Sequence, residues 1–383
     1  MNTIRTGVKY NFVKLILVLV VVIISISSLC KRKPDNNLEP TNVSNNSGRS
    51  ENPSIAVDSR NTVHLVWNDN TPGIVQGNQW NQEILYAYKP VDSNWSNPVN
   101  ISNSPCASRF PCIKVDRNDK IHIVWQDCSP DYLWRIFYIC KSPGGSWSLP
   151  ETIWTSGADL VPAIDVDSIG RVFLVWYAGD YSGWVYFSLR QGDANWTLPI
   201  NISPRGFIDS PKITVDIRGN AHVAWSQWNG DVRTDIFYVM RDTNGNWSDT
   251  FAIFPTRDIS FTPVLTSDRE GNVHITWNDS ALTYMYKSIE GNWSNPEFPV
   301  LHGNPGGIEV DANRTIFICY GSTRLIKKQQ NSSWAQPLLV YESGNSNPSL
   351  AIDRRGTKHI AWHCTPPDTI DTSEVYYIEI KNY

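Results

Sequence analysis

After residue 30 the chain has no stretch with the period of an amphipathic helix, which excludes helical bundles and α/β folds. It has no basic run beyond Lys31-Arg32-Lys33, and its formal net charge is −4. A nucleic-acid-binding surface is therefore not expected. Its 7 cysteines include no CxxC pair, so a zinc site is not expected either. No cofactor is implied by any motif.

Repetition is what the chain has in abundance. The same phrase occurs seven times, most clearly as NPSIAVDSRNTVHLVW from Asn52 and SPKITVDIRGNAHVAW from Ser210. Every copy carries an aspartate: Asp58, Asp116, Asp167, Asp216, Asp268, Asp311 and Asp353. Six copies place a proline five residues earlier: Pro53, Pro111, Pro162, Pro211, Pro263 and Pro348. Apolar residues alternate between the two, as Ile55 and Val57 do, which is the period of a strand. Three residues after the aspartate stand Asn61, Asp119, Gly170, Gly219, Gly271, Arg314 and Gly356. All but Arg314 suit a turn closing on a left-handed residue, so the sixth hairpin is expected to be weaker.

A second strand ends on Trp67, Trp125, Trp176, Trp225, Trp277, Tyr320 or Trp362. A third follows, and a fourth comes after Trp95, Trp147, Trp196, Trp247, Trp293 and Trp334. Four antiparallel strands per copy, rich in Trp and Gly, define an all-β, seven-bladed β-propeller. Stacked blades bury aromatic faces, which accounts for 17 Trp in 383 residues. The last copy stops after its third strand, EVYYIEI. The missing strand matches Leu38–Ser44, LEPTNVS, which resembles SNPVNIS of the first copy. The N-terminal strand is thus expected to complete blade seven and close the ring, removing two open sheet edges.

Residues 1–30 read as a signal sequence or membrane anchor, residues 31–37 as a linker, and residues 38–383 as the propeller, with 38–44 its closing strand. Arg5, Lys9 and Lys14 precede the apolar run Leu15–Leu29, and Cys30 stands where a lipoprotein signal carries its acylated cysteine. A cleaved signal, a lipid anchor on Cys30 and an uncleaved helix remain open. Each exports the propeller, and the last two tether it to the membrane of the cell envelope. In an exported chain, Cys106, Cys112 and Cys128, all at one end of blade two, predict one disulfide with three possible pairings. Cys140 falls at the opposite face, and Cys319 within a core strand.

Five copies place a histidine in the second strand: His64, His122, His222, His274 and His359. One per blade, they are too dispersed for a metal or catalytic array. They read as ties between the hairpin and a neighbouring strand. Residues that break the repeat are more informative. Connections between second and third strands are long in copies one to four and seven and short in five and six. That makes one face asymmetric. Trp80, Trp134, Trp184 and Trp228 fall in or at the ends of those connections. Arg49, Arg109, Arg205 and Arg257 lie in the fourth-to-first connections of the same face, and Asp69 and Asp127 at its edge. Exposed aromatics with a few charges suit a sugar or peptide ligand.

The Trp-Ser-x-Pro phrase after a Gly-rich turn (SPGGSWSLP from Ser142, SIEGNWSNP from Ser288) resembles a degenerate Asp-box. Residues 38–383 thereby resemble bacterial sialidase-like and BNR-repeat propeller proteins. That resemblance implies a propeller. For a sialidase it implies six blades, an arginine triad, a Tyr–Glu nucleophile pair and an acidic proton donor. Arg49, Arg109, Arg205 and Arg257 sit on the appropriate face. No Tyr–Glu motif matches, and no copy carries the full S-x-D-x-G-x-x-W. No catalytic residue is assigned. The expectation is a monomeric, exported, membrane-tethered propeller that binds glycans or a surface protein without catalysis. An exo-glycosidase of sialidase type and a scaffold within an envelope complex are the alternatives.

Overall fold

The computed structural model describes residues 39–71, 81–128, 131–155, 157–192, 194–228, 234–255, 258–342, 348–366, 372–381 and 383. The expected anchor, Cys30, Trp80 and Arg257 lie outside them. Seven four-stranded antiparallel sheets are formed, in consecutive order except for the last. There Thr41–Asn42 pairs outside Glu374–Ile380, with Thr41 opposite Tyr377. Beyond that pair, the Val43 and Ser44 amides both donate to the Val375 carbonyl. The ring is closed by the N-terminal strand, as the LEPTNVS match implies.

Each hairpin is built around its aspartate. One oxygen of Asp58 accepts the amides of Arg60 and Thr62, and the same pair of bonds recurs at Asp116, Asp167, Asp216, Asp268, Asp311 and Asp353. The third residue then turns left-handed. Arg314 does so too, at φ 61°, so the sixth hairpin has the same geometry as the rest. The Asp311 bonds hold it there, at the conformational cost of a non-glycine residue in that region.

The repeated histidines close a second layer of bonds. His222 Nδ1 meets the Tyr238 hydroxyl at 2.6 Å and its Nε2 faces Asp216 at 3.3 Å. His64–Tyr86, His122–Tyr138, His274–Tyr284 and His359–Tyr377 repeat the bond across the second and third strands. Burial holds the His122, His222 and His359 rings neutral, their pKa values below the usual range. Burial would raise the Asp216 and Asp268 carboxyls, but the bonds from His222 and His274, together with those from the side chains and amides of Asn220 and Asn272, outweigh it and hold both at about 2.

Blades are joined by their tryptophans. The second-strand Trp67, Trp125, Trp176, Trp225, Trp277 and Trp362 are fully buried. The Trp of each Trp-Ser-x-Pro phrase, or of its variants Trp-Thr-x-Pro, Trp-Ala-x-Pro and Trp-Ser-x-Thr, crosses to the preceding blade. Trp147 packs edge-on against Tyr86 at 5.0 Å, and Trp196–Tyr138, Trp293–Tyr238, Trp334–Tyr284 and Trp95–Tyr377 do likewise. The residue that follows clips the third strand: Ser148 accepts from the Cys140 amide and donates its own amide to the Cys140 carbonyl, and Thr197 does the same at Leu189. Edge-on aromatic pairs contribute roughly 0.5–1.5 kcal/mol each beyond their burial, so the phrase acts as a staple between blades.

Candidate functional site

The first strand of each blade runs along the axis, and the second strand returns to the face where the irregular connections lie. Blades one, two, four and seven have long second-to-third connections there. Blade three does not. Its second strand runs on to Gly179 and its third begins at Gly183, the two residues opposed in register. The alternation in YAG and GWVYF carries the ladder to the tip, so the expected long connection is a tight turn at the end of long strands.

Within this loop face the structure pairs predicted residues with one another. The Arg109 guanidinium lies 5.8 Å from the centre of the Trp134 ring, and that of Arg205 5.1 Å from Trp184. Trp134, Trp184 and Trp228 are each half-buried, so edges of the rings reach solvent. Arg49 is engaged separately, with Glu51 at 2.9 Å. Arg109 Nε is buried with no hydrogen-bond partner among the described residues. The three described arginines thus have separate partners rather than one shared anion.

Asp69 and Asp127 correct the expectation that they face a ligand. Both are buried. Asp69 accepts from the Trp67 indole at 3.0 Å, the Ser50 hydroxyl at 2.6 Å and the Asn46 amide at 2.8 Å. Asp127 accepts from Trp125, Ser108 and Ser104. Two residues beyond a buried tryptophan, a carboxylate falls within reach of that indole, and the N–H needs a partner. Cys106 and Cys128 form the disulfide on this face, their Cα atoms 5.4 Å apart, and Cys112 remains a thiol.

Sequence patterns did not single out the most exposed aromatics. Tyr132 and Tyr181 stand at the tips of the second-to-third connections of blades two and three, 82% and 88% exposed. Trp154 and Phe207, in the connections leading to blades three and four, are also exposed, and Arg135 lies 5.8 Å from the Trp154 ring centre. None occupies a repeat position, which was the available signal.

On the axis, beneath this face, is a cavity of about 250 Å³ lined by residues of all seven blades. Its rim is strained. Asn52, Phe110, Val161, Ser210 and Thr262, each preceding the repeat proline, have φ of 53°, 52°, 50°, 50° and 52°. The ladder to the second strand slips at each of these points. A β-branched residue such as Val161 or Thr262 in that region costs on the order of 1–3 kcal/mol, and each slip spans the repeat proline, which has no N–H to give the ladder.

Three residues past the proline position lies a deeper layer. Lys114 and Asp165 pair at 3.3 Å, Thr214 donates to Asp165, and Thr266 lies against Glu309. Asp165 holds the Lys114 ammonium above its usual range. Burial pushes the Glu309 carboxyl up to about 7, Lys114 opposing and Asp165 adding to the shift. Among the described residues no group of three potential metal ligands is found. A larger depression of about 640 Å³ lies on the opposite face, between blades one and two. Its Asp58, His64 and Tyr86 belong to the repeated brace.

These features place the molecule among seven-bladed β-propellers. No protein-family model matches the chain, and a comparison with curated proteins finds no match. Solved structures do match. A catalytically inactive virginiamycin B lyase from Staphylococcus aureus with quinupristin is similar over 90% of this chain and 99% of that one (TM-score 0.62, 11% identity). A lectin from Burkholderia pseudomallei matches over 82% and 96% (TM-score 0.58, 13% identity). A Hadza microbial sialidase matches over 92% and 71% (TM-score 0.56, 10% identity). At such identities the likeness is one of fold. It includes enzymes and a lectin alike.

Proposed function

We propose that this is an exported, membrane-tethered propeller that binds a glycan through its loop face without catalysis. The observation that carries the reading is the pairing of Arg109 with Trp134 and of Arg205 with Trp184. An indole face covers the apolar side of a sugar ring, and a guanidinium beside it donates to hydroxyls or a carboxylate. The exposed Tyr132, Trp154, Tyr181 and Phe207 extend that surface. A lectin among the similar structures is in keeping with this use of the fold. The separate engagement of Arg49, Arg109 and Arg205 favours binding over the arginine triad of a sialidase.

We read the Trp-Ser-x-Pro phrases as degenerate Asp-box repeats, and residues 1–30 as the tether, through Cys30 or an uncleaved helix. The closing strand runs antiparallel to Glu374–Ile380, so the chain enters it from the hairpin face. A tether there turns the loop face away from the membrane. A glycan array probed with the full chain tests the binding. Retention of a glycan by the parent and its loss in Trp134→Ala/Trp184→Ala supports the reading. Retention undiminished in that variant refutes it. Release of a terminal sugar, abolished by Arg109→Ala or Arg205→Ala, replaces it with a sialidase-type exo-glycosidase.

A further inference from the structure

The polar lining of the axial cavity combines one ammonium with hydroxyls and the Asn52 amide. Lys212 is the only charged residue among those that line it. It has no ion pair or hydrogen bond among the described residues, whereas Lys114, the other lysine of the channel, is neutralised by Asp165. The hydroxyls of Ser54 and Ser349, both in the lining, accept the amides of Ile113 and Ile55 from the neighbouring blades. Each therefore keeps its own O–H to donate. Thr262 Oγ1 is buried and unpartnered. Around these donors, Pro53, Pro111, Pro162, Pro263, Phe110 and Val161 supply apolar wall. A cation, several hydroxyl donors, no carboxylate and an apolar wall suit an anion carried on a small organic frame. The volume holds roughly eight water molecules at about 30 Å³ each, and so admits a single sugar ring.

We propose that the axial cavity is a subsite for the carboxylate of a sugar acid, with Lys212 as its counter-ion and Ser54, Ser349 and Thr262 as donors. This rests on the glycan reading and deepens it, because the cavity opens beneath the face that carries Trp134 and Trp184. The sugar acid enters as a free molecule or as the end of a glycan whose neutral units lie across that face. The charges of the deeper layer are Lys114, Asp165 and Glu309, about two residues or roughly 7 Å farther along the same strands.

Titration calorimetry of the full chain with sodium glucuronate, methyl glucoside and a disaccharide ending in glucuronate tests the site. Glucuronate is expected to bind the parent, and at least about tenfold more weakly to Lys212→Met. The neutral glucoside should respond equally to both proteins. A disaccharide that binds more tightly than glucuronate, with only the gain lost in Trp134→Ala, identifies a glycan terminus. Equal affinities identify a free acid. The subsite is overturned if the parent does not distinguish acid from neutral sugar, or if Lys212→Met binds glucuronate as the parent does. Failure of the neutral glycan alone refutes only the face. Where Lys212→Met does not fold, labelling of parent lysines by an amine-acetylating reagent replaces it. Protection of Lys212 by glucuronate supports the site, and unchanged labelling overturns it.

Discussion

The two faces of the ring use their polar and aromatic residues for different ends. On the hairpin face an Asp recurs in every blade and a His–Tyr pair in five, bonded to one another as Asp216, His222 and Tyr238 are. On the loop face Arg, Trp and Tyr occur once each and are half-open to solvent, as Arg205 and Trp184 are. A polar group that recurs from blade to blade answers a need those blades share: a satisfied turn and, where the histidine is present, a ring bonded to its tyrosine. A polar group that occurs once answers a need of one place. Repetition therefore identifies architecture, and its interruption identifies the surface that distinguishes this propeller from others.

The comparison breaks most sharply at the closing strand. Deleting residues 34–46 leaves Glu374–Ile380 as an open edge and removes Val43 from the core it shares with Trp67 and Tyr377. A loss of about 4 kcal/mol or more is expected, read by denaturant unfolding. A truncated chain that unfolds like the parent would show that the ring does not depend on its closure.

Next comes a pair of tryptophans one blade apart. Trp225 is fully buried and donates to Gln227 at 2.9 Å. Trp225→Ala should cost about 3–5 kcal/mol of stability. Trp184→Ala, at a half-buried ring of the loop face, should cost less than about 1.5 kcal/mol of stability. It should weaken glycan binding by about 2 kcal/mol. Equal stability losses would erase the distinction between repeated and singular positions.

The Cys106–Cys128 bridge is a third probe, because it closes a loop of 22 residues on the loop face. Replacing both cysteines with serine should cost roughly 2–4 kcal/mol. The repeated core of the other blades should be untouched, as amide exchange would show.

The smallest effect is electrostatic. Glu309 carries a pKa of about 7 in the fold against an ordinary value near 4.3 in the unfolded chain. Its proton is held more tightly when folded, so its stabilising contribution is complete below that ordinary value. The contribution is lost as pH rises towards about 7. Glu309→Gln should flatten the stability profile between about pH 4.5 and 7. The acid limb, set by Asp216 and Asp268 at about 2, should persist as their charges are lost below about pH 4. A Glu309→Gln profile identical to that of the parent would remove Glu309 from the channel's electrostatics.

The sequence by itself determined the blade count, the strand order, the closing strand and the Asp-centred turns. The signals for these are local: a proline, an aspartate five residues on, a turn residue three beyond, a tryptophan at the strand end. It also located the face that carries Trp134, Trp184, Arg109 and Arg205, since departures from a repeat are visible without coordinates. It misjudged Asp69 and Asp127, because a carboxylate two residues past a tryptophan looks exposed until the indole is seen to bond it. It also read a long connection in blade three, where the ladder zips to Gly179 and Gly183. Only the tertiary structure decided which aromatics meet which arginines. Only it assembled the axial cavity, whose lining runs from Asn52 to Ser349. No local pattern brings those residues together. Closing the ring does, by turning the bulged segments at the repeat prolines, with Asn52, Phe110, Val161, Ser210 and Thr262 left-handed, towards one axis.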